Sequence, residues 1–373
     1  NALVGADIID APAGTYTLNI PGERENAALT GDLDITDELT ITGAGESRTV
    51  IDGGGIDRVL EVIAAGNITD ITIRNGTGSF EEAAGAGIYN TSQQLTLNNV
   101  TIIGNQTGIY NGVEATTILS DSSVIGNSPN SGIVNNGTVE IRNSVIQGNT
   151  SADWGGGIQN LGTMIIDNSL INGNSALGDH AFGDVGGFGG GIHVFGWLTI
   201  SNTTISGNSA EDNCWGDCRL GQGGGIYVAS RNLILEHVTI ADNHASIHSG
   251  VFLGGAASIQ LKSTIIANNL GGENCGFFGE VTNLGHNLDS GNSCGVMSPS
   301  DLVNTDPLLG PLKDNSGPTF THALLPGSLA IDHILPENCI FTNDQRGVPR
   351  PQGGGCDIGA YELDIIFTDS FEQ

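Results

Sequence analysis

The sequence predicts an all-β fold, and within that class a parallel β-helix, in which the chain winds into stacked rungs. Gly-Asn pairs recur with Asn105, Asn127 and Asn149, 22 residues apart, and the series continues at longer intervals. Each repeat holds three short segments rich in Val, Ile and Leu, separated by Gly, Asn and Asp. Gly makes up 58 of the 373 residues, and neither Gly nor Asn favours long helices. Because a single rung cannot bury its apolar side, stacked neighbours must supply the core.

The segments of each repeat follow one another in a fixed order. A unit opens on Gly-Ile or Gly-Val, as at Ile88 and Ile109, continues through a second apolar segment and closes on a third before the Gly-Asn pair. Alternation within each segment points the branched side chains inward. Residues 8–73 follow this pattern more loosely, and after Pro299 the period is lost and Pro accumulates. We therefore expect repeats over residues 1–298, and terminal rungs, an irregular cap and a C-terminal tail over 299–373.

Two columns of side chains are expected along the rod. One turn position recurs with residues that suit left-handed backbone, at Asn99, Asp121, Asn143, Asn168, Asn202, His237 and Ser263. We expect the amides there to form a hydrogen-bonded ladder from rung to rung. An outward column on one face is predicted as a stack of side chains, made of Tyr89, Tyr110, Val134, Gln159, His193, Tyr227 and Phe252.

Charge and hydropathy argue against two classes of partner. The chain carries 11 Lys and Arg against 41 Asp and Glu, a formal net charge of −30. Nucleic-acid binding needs a basic surface, and an anionic membrane surface would repel such a chain. No apolar run reaches the length of about 18 residues that indicates a transmembrane segment.

The six cysteines form three couples that are close in sequence. No couple has the spacing of a zinc ribbon, and no His follows at finger spacing. Other pairings are open, but we favour three local disulfides: Cys214–Cys218, Cys275–Cys294 and Cys339–Cys356. Disulfides form in oxidising compartments, which favours an extracellular or bacterial cell-surface location.

The last part of the chain carries a specific series of motifs. They are Asp306-Pro307-Leu308-Leu309, His322-Ala323-Leu324-Leu325-Pro326-Gly327-Ser328, Asp344-Gln345-Arg346-Gly347 and Cys356-Asp357-Ile358-Gly359-Ala360-Tyr361-Glu362. This series closely resembles the choice-of-anchor Q domain of bacterial exported β-helix proteins. The start, Gly5-Ala6-Asp7-Ile8-Ile9, is similar to the opening rung that follows the CSLREA motif in the same proteins. The resemblance implies export and, with the general chirality rule, a right-handed β-helix. It implies no established reaction.

Two rungs gain insertions at the same turn, over residues 175–189 and 209–223. Equal positions on successive rungs place the two loops side by side, and long loops on a rigid scaffold often carry function. We consider a Ca²⁺ site there, because Ca²⁺ takes oxygen ligands. Its candidate ligands are Asp179, Asp184, Glu211, Asp212 and Asp217.

The aromatic residues of the same region suggest a platform for a surface glycan. The candidates are Trp154, His180, Phe182, Phe188 and Trp215. The alternative is that these rings pack the loops onto the rod and the acids are merely solvated.

The main functional hypothesis is a non-catalytic extracellular or cell-surface protein with a structural, adhesive or self-assembling role. Open strand edges at the ends of a rod favour end-to-end contacts between copies. The apolar and acidic tail Phe367–Phe371 favours contacts through the tail. We therefore expect a homo-oligomer or filament, in which Ca²⁺ would relieve the repulsion between negatively charged copies. No catalytic residues are proposed, since no Asp-Asp pair or metalloprotease motif occurs. The alternative is a polysaccharide lyase or glycoside hydrolase with its site near the inserted loops.

Overall fold

The computed structural model describes residues 7–22, 30–78, 86–92, 94–178, 186–212 and 220–364. The predicted parallel β-helix is confirmed. Its strands pair in parallel, each with the corresponding strand of the next rung. The described part of the chain contains no α-helix, and its one helical element is a 3-10 turn at Pro336–Asn338.

A complete rung contributes a first, a second and a third strand, and four rungs add a short fourth strand. The first strands are Leu33–Ile35, Leu60–Val62, Ile88–Asn90, Ile109–Asn111, Ile133–Asn135, Ile158–Asn160, Ile192–Val194 and Cys275–Phe277. The second strands are Asp7–Ala11, Leu39–Gly43, Gly66–Thr69, Leu95–Asn98, Thr116–Ser120, Thr138–Arg142, Thr163–Asp167, Trp197–Ser201 and Glu280–Asn283. Two long strands, Ile226–Glu236 and Val251–Lys262, serve as first and second strand together.

The third strands form a separate sheet on another side of the rod. They are Gly14–Thr17, Thr49–Asp52, Thr72–Arg74, Thr101–Ile103, Ser123–Ile125, Val145–Gln147, Leu170–Asn172, Thr204–Ser206, Thr239–Ala241, Ile265–Ala267, Leu288–Asp289 and Leu302–Val303. The fourth strands are Thr150–Ser151, Ser175–Ala176, Ser209–Ala210 and His244–Ala245.

The inside of the rod is filled by columns of branched side chains. Leu97, Leu119 and Ile141 occupy one register position in neighbouring second strands and are fully buried. The same core extends without a break from Ile35 to Val296. This arrangement confirms the predicted alternation, because every second residue of a strand faces the interior.

The recurring turn position has the left-handed backbone that the sequence predicts. The φ angle is 51° at Asn99, 49° at Asn143 and 52° at Ser263. Side-chain hydrogen bonds at this position cross between rungs from Asn99 to Asp70 and from Asn143 to Asp121, whereas the Asn168 amide bonds Asp167 of its own rung. The predicted ladder therefore forms only in part at this position and is interrupted.

Two continuous amide ladders lie at other positions. One ladder joins the Asn of the five Gly-Asn pairs and continues through Asp242-Asn243 and Asn268-Asn269. Each Asn donates its Nδ2–H to the Oδ1 of the next at 2.9–3.1 Å, through Asn105, Asn127, Asn149, Asn174, Asn208, Asn243 and Asn269. A second ladder joins Asn90, Asn111, Asn135 and Asn160 at 2.8–3.0 Å. The Gly of each pair has positive φ, 66° at Gly104 and 61° at Gly126, which turns the following Asn inward.

The chain after Pro299 lies along the flank formed by the third strands. Gln345 Oε1 accepts a hydrogen bond from Thr204 Oγ1 at 2.7 Å, and the Ala360 N–H donates to Thr239 Oγ1 at 3.0 Å. A separate small core, which includes Ile265, Leu324 and Ile358, joins this segment to the rod. The last turn of the main core is covered by earlier residues, among them Cys294 and Val296.

A buried charge network holds this segment together. The Arg346 guanidinium contacts Asp344 at 2.7 Å and lies 3.8 Å from the centre of the Tyr361 ring. Arg350 pairs with Glu362 at 3.1 Å, and both side chains are fully buried. Asp344, Arg346, Tyr361 and Glu362 belong to the motifs that carry the choice-of-anchor Q resemblance, and Arg350 lies between two of those motifs. We call residues 344–362, which contain this network, the C-terminal clasp.

Two of the three predicted disulfides are confirmed. Cys275 bonds Cys294 and Cys339 bonds Cys356, at S–S distances of 1.98 and 1.96 Å. The third predicted pair, Cys214–Cys218, lies outside the described residues.

Candidate functional site

The inserted loops leave and rejoin the rod side by side. The fourth strands Ser175–Ala176 and Ser209–Ala210, where the insertions begin, pair in register. Where the chain returns, Trp154, Phe188, Gln222 and Ile247 are bridged from rung to rung. The loop edges therefore form one side of the surface made by the first strands.

The predicted outward column exists in the expected register. Tyr89, Tyr110 and Val134 pair in sequence, followed by Gln159, His193, Tyr227 and Phe252. Parallel strands without a register shift keep equivalent positions directly above one another, about 4.8 Å apart. The column is thus a straight line of side chains parallel to the rod axis.

Aromatic rings are in contact along the upper half of this column. Trp154 stacks on His193 with ring centres 5.6 Å apart, and His193 stacks on Tyr227 at 5.1 Å. Tyr227 stacks on Phe252 at 4.8 Å, and Phe252 contacts Phe278 at 5.6 Å. Phe188, Phe195 and His248 add further contacts to the same group. We call these eight side chains the upper ring cluster.

The two ends of the upper ring cluster are exposed to solvent, and two of its other rings are buried. Trp154 is 41% exposed and Phe278 is 67% exposed, whereas His193 and Phe188 are buried beneath them. Burial lowers the pKa of His193 to about 3, so this ring stays neutral and acts as an aromatic spacer. Its Nδ1 has no hydrogen-bond partner among the described residues. Two predicted platform residues therefore belong to the upper ring cluster, Trp154 as an exposed ring and Phe188 as a buried support.

A smaller ring contact lies further down the same column. Tyr89 and Tyr110 have ring centres 5.4 Å apart, and the Arg58 guanidinium lies 5.0 Å from the centre of the Tyr89 ring. We call Tyr89 and Tyr110 the lower ring pair.

A cleft of about 330 Å³ separates the lower ring pair from the upper ring cluster. Tyr110 lies at one end and Trp154 at the other, and Val134 and Gln159 of the outward column form part of the lining. Polar groups line the cleft from both sides, and they are Asn130, Ser131, Asn136, Ser151 and Asp153. The arrangement combines flat apolar rings with hydrogen-bonding groups.

The described Ca²⁺ candidates are engaged in hydrogen bonds within the loop edge. Glu211 Oε1 accepts from Ser209 Oγ, and the Asp212 carboxylate accepts from the Gly221 N–H and from Ser246 Oγ. The remaining candidates of the inserted loops lie outside the described residues: Asp179, His180, Phe182, Asp184, Trp215 and Asp217. The Ca²⁺ site stays a prediction.

An acidic group that sequence reasoning missed lies at the lower end of the column. Asp32, Asp34 and Glu61 place carboxylate oxygens within 4.8 Å of one another. Arg58 lies among them, 2.8 Å from Asp32 and 2.6 Å from Glu61, so a protein cation already occupies this group. Strand register is the sequence signal that could have revealed this acidic group, because Asp34 and Glu61 occupy the two positions before Tyr89 in the outward column.

No helix in the described part of the chain has the length and hydropathy of a membrane span. Neither a protein-family model nor a curated protein sequence matches this chain.

Solved structures do resemble it. The crystal structure of pectate lyase Pel9A is 16% identical, with a TM-score of 0.49, over 96% of this chain and 88% of that one. The catalytic domain of a GH87 alpha-1,3-glucanase in complex with nigerose is 14% identical, with a TM-score of 0.36, over 75% of this chain and 64% of that one. At these identities the likeness is one of fold and does not extend to activity.

Proposed function

We propose that the protein is a non-catalytic, extracellular β-helix that adheres to carbohydrate through the upper ring cluster. The observation that carries the proposal is the unbroken line of ring contacts from Trp154 to Phe278, exposed at both ends. The rigid strands hold these rings in place, so little side-chain entropy is lost on binding, and the exposed Trp154 and Phe278 supply apolar contact area.

The polar cleft beside Trp154 supplies what a sugar needs besides an apolar face. The side-chain amides of Asn130, Asn136 and Gln159 can donate hydrogen bonds to sugar hydroxyls and accept hydrogen bonds from them. Ligand sites commonly join apolar or aromatic walls with a few fixed polar groups. The two described disulfides fit an oxidising compartment, which supports a role outside the cell.

The test is retention of the protein in affinity gels that contain soluble polysaccharides. The panel includes neutral glucans, mannan and xylan and the acidic polymers polygalacturonate and alginate. Trp154→Ala should abolish retention, since anchor aromatics typically cost about 2 kcal/mol or more when truncated. Trp197→Ala is the matched control, because Trp197 is 52% exposed but lies on a second strand outside the upper ring cluster. No retention of the wild-type protein by any polymer contradicts the proposal.

A polysaccharide-active enzyme is the second candidate, favoured by carboxylates at the rim of the same surface. Asp153 lines the cleft next to Trp154, and Glu211 and Asp212 lie at the edge of the second inserted loop. An enzyme would release reducing ends or unsaturated products from a retained polymer, and Asp153→Asn would stop the release. A retained but unchanged polymer favours adhesion.

Self-assembly and Ca²⁺ dependence are separate parts of the proposal. Light scattering across protein concentrations, in Ca²⁺ and in EDTA, tests both at once. Growth beyond the monomer mass in Ca²⁺, reversed by EDTA, is the expected result. A monomer in both buffers would contradict the proposal of self-assembly and would leave the proposal of adhesion through the upper ring cluster unaffected.

A further inference from the structure

We infer that the ligand is a neutral, linear polysaccharide that lies parallel to the rod axis and contacts the upper ring cluster and the lower ring pair at once. The inference rests on the proposed function and names its ligand class. It comes from three features of the surface: the direction of the outward column, the two groups of rings on it, and the charge around it.

Direction is set by strand register. Six consecutive pairings without a shift connect Tyr89 to Phe252 in the outward column. At about 4.8 Å for each step, the line is about 29 Å long. A single sugar ring is much shorter than this line, whereas an unbranched chain of several sugars matches it. A branched or compact glycan would contact one group of rings and leave the other empty.

The rings occupy the two ends of the line and leave a gap between them. Val134 and Gln159 replace aromatic residues at the two positions between Tyr110 and His193. The cleft lies at this gap and carries amide and hydroxyl groups along its walls. A chain that contacts the rings at both ends would pass over the cleft with its hydroxyls within reach of those groups. Binding at two linked places raises affinity well above that of either place alone.

Charge around the line excludes polyuronates. Asp153 lines the cleft, Glu273 lies 3.9 Å from His248 at the upper end, and Asp34 and Glu61 lie at the lower end. Arg58, the cation described near the lower ring pair, is already paired with Asp32 and Glu61. With a net charge of −30 on the whole chain, a polymer with a carboxylate on every sugar would be repelled.

The experiment uses the full chain and size-fractionated oligosaccharides, dimer through octamer, prepared from whichever neutral polymer the affinity gels retain. Calorimetric titration should show affinity rising by about tenfold or more between the short and the long oligomers, then levelling. Tyr110→Ala should remove this gain and leave the affinity for the dimer unchanged. Trp154→Ala should weaken binding at every length.

Phe320→Ala is the matched control for Tyr110→Ala. Phe320 is an aromatic residue, 49% exposed, in the C-terminal segment, so its removal should change affinity at no length. Equal affinity at all lengths, or a Tyr110→Ala variant that keeps the gain, would overturn the inference and leave the proposed function standing. If only polygalacturonate or alginate retained the protein, and Trp154→Ala abolished that retention, the inference of a neutral ligand would also be overturned while the proposed function would stand. Failure of every polymer to bind would overturn the proposed function itself.

Discussion

The repeat rod and the C-terminal clasp differ in the buried polar groups that hold them together. Along most of the rod these groups are neutral amides such as Asn149 and Asn174, each hydrogen-bonded to the next rung, and buried ions occur at its lower end, where Arg58 pairs with Asp32 and Glu61. In the clasp, buried polar groups are ions, with Arg350 against Glu362 and Arg346 against Asp344. A repeating structure can satisfy every group with its own copy on the next rung, whereas a unique segment needs matched partners of opposite charge.

The largest expected effect is the loss of a clasp cation. Arg350→Met leaves the Glu362 carboxylate buried without its partner and frees the Asp357 and Gly359 carbonyls that Arg350 bonds. Removing one partner of a buried pair costs about 3–5 kcal/mol. We expect early proteolysis of residues after Pro299 and a lower denaturation midpoint.

An exposed ion pair of the rod provides the control. Arg142 contacts Glu140 at 2.8 Å, but its side chain is 53% exposed. Arg142→Met should cost about 1 kcal/mol or less, because solvent screens such pairs. If Arg350→Met and Arg142→Met lower the free energy of unfolding by the same small amount, the contrast between rod and clasp is wrong.

The next effect is a pH dependence of the stability of the clasp. Burial, followed by the charge of Glu362, raises the pKa of Asp357 to about 7, from 3.8 in the unfolded chain. The folded clasp therefore holds a proton more tightly, and its stabilisation is complete below about pH 4. It is lost as pH rises to about 7, at about 1.4 kcal/mol for each unit of pKa difference.

Asp52 in the rod should respond in the opposite direction. Burial opposes the shift, but hydrogen bonds from Asn75 and the Gly54 N–H and the charge of Arg74 lower its pKa overall. Its contribution is present above about pH 4 and lost below it. Proteolysis of the clasp at a series of pH values tests the difference, with Asp357→Asn as the variant that should flatten the curve. An unchanged curve in Asp357→Asn assigns the effect to another group.

The smallest expected effect is a difference in stability between a variant in the amide ladder and a variant at the turn position. Asn174→Ala removes the Oδ1 that accepts from Asn149 and the amide that donates to Asn208. Leaving buried donors without partners costs about 1–3 kcal/mol. Asn143→Gly should change stability by less than about 0.5 kcal/mol, because the Asn143 side chain is only half-buried and Gly tolerates its positive φ. Thermal denaturation of the two variants makes the comparison, and equal losses would contradict it.

Most of the rod was predictable from the sequence, including strand order, the turns with left-handed backbone and the outward column. A strict period constrains each residue by its equivalents on other rungs, so Tyr89 and Tyr110 are assigned to one face by counting alone. Within the candidate site, Trp154 and Phe188 were predicted to lie near the inserted loops. The sequence places Tyr227 and Phe252 in the outward column but does not show that they join Phe188 and Phe278 in one cluster, because those contacts depend on where the neighbouring turns lie in three dimensions.

The amide ladders show what the repeat period alone does not predict. Both the turn Asn and the Asn of Gly-Asn recur with the same period, so spacing does not distinguish them. The difference is orientation: positive φ at Gly104 turns Asn105 inward, while Asn99 itself adopts positive φ and faces the edge. Side-chain direction depends on backbone dihedrals that the repeat pattern does not specify.

By itself, the sequence determined the β-helix, the register of its columns and the local disulfides Cys275–Cys294 and Cys339–Cys356, since all of these depend on periodicity or short separation. Only the tertiary structure decided which polar groups are buried, where the C-terminal clasp lies and which rings touch. Those contacts join residues far apart in the chain, such as Thr239 and Ala360, and their geometry follows from packing in three dimensions.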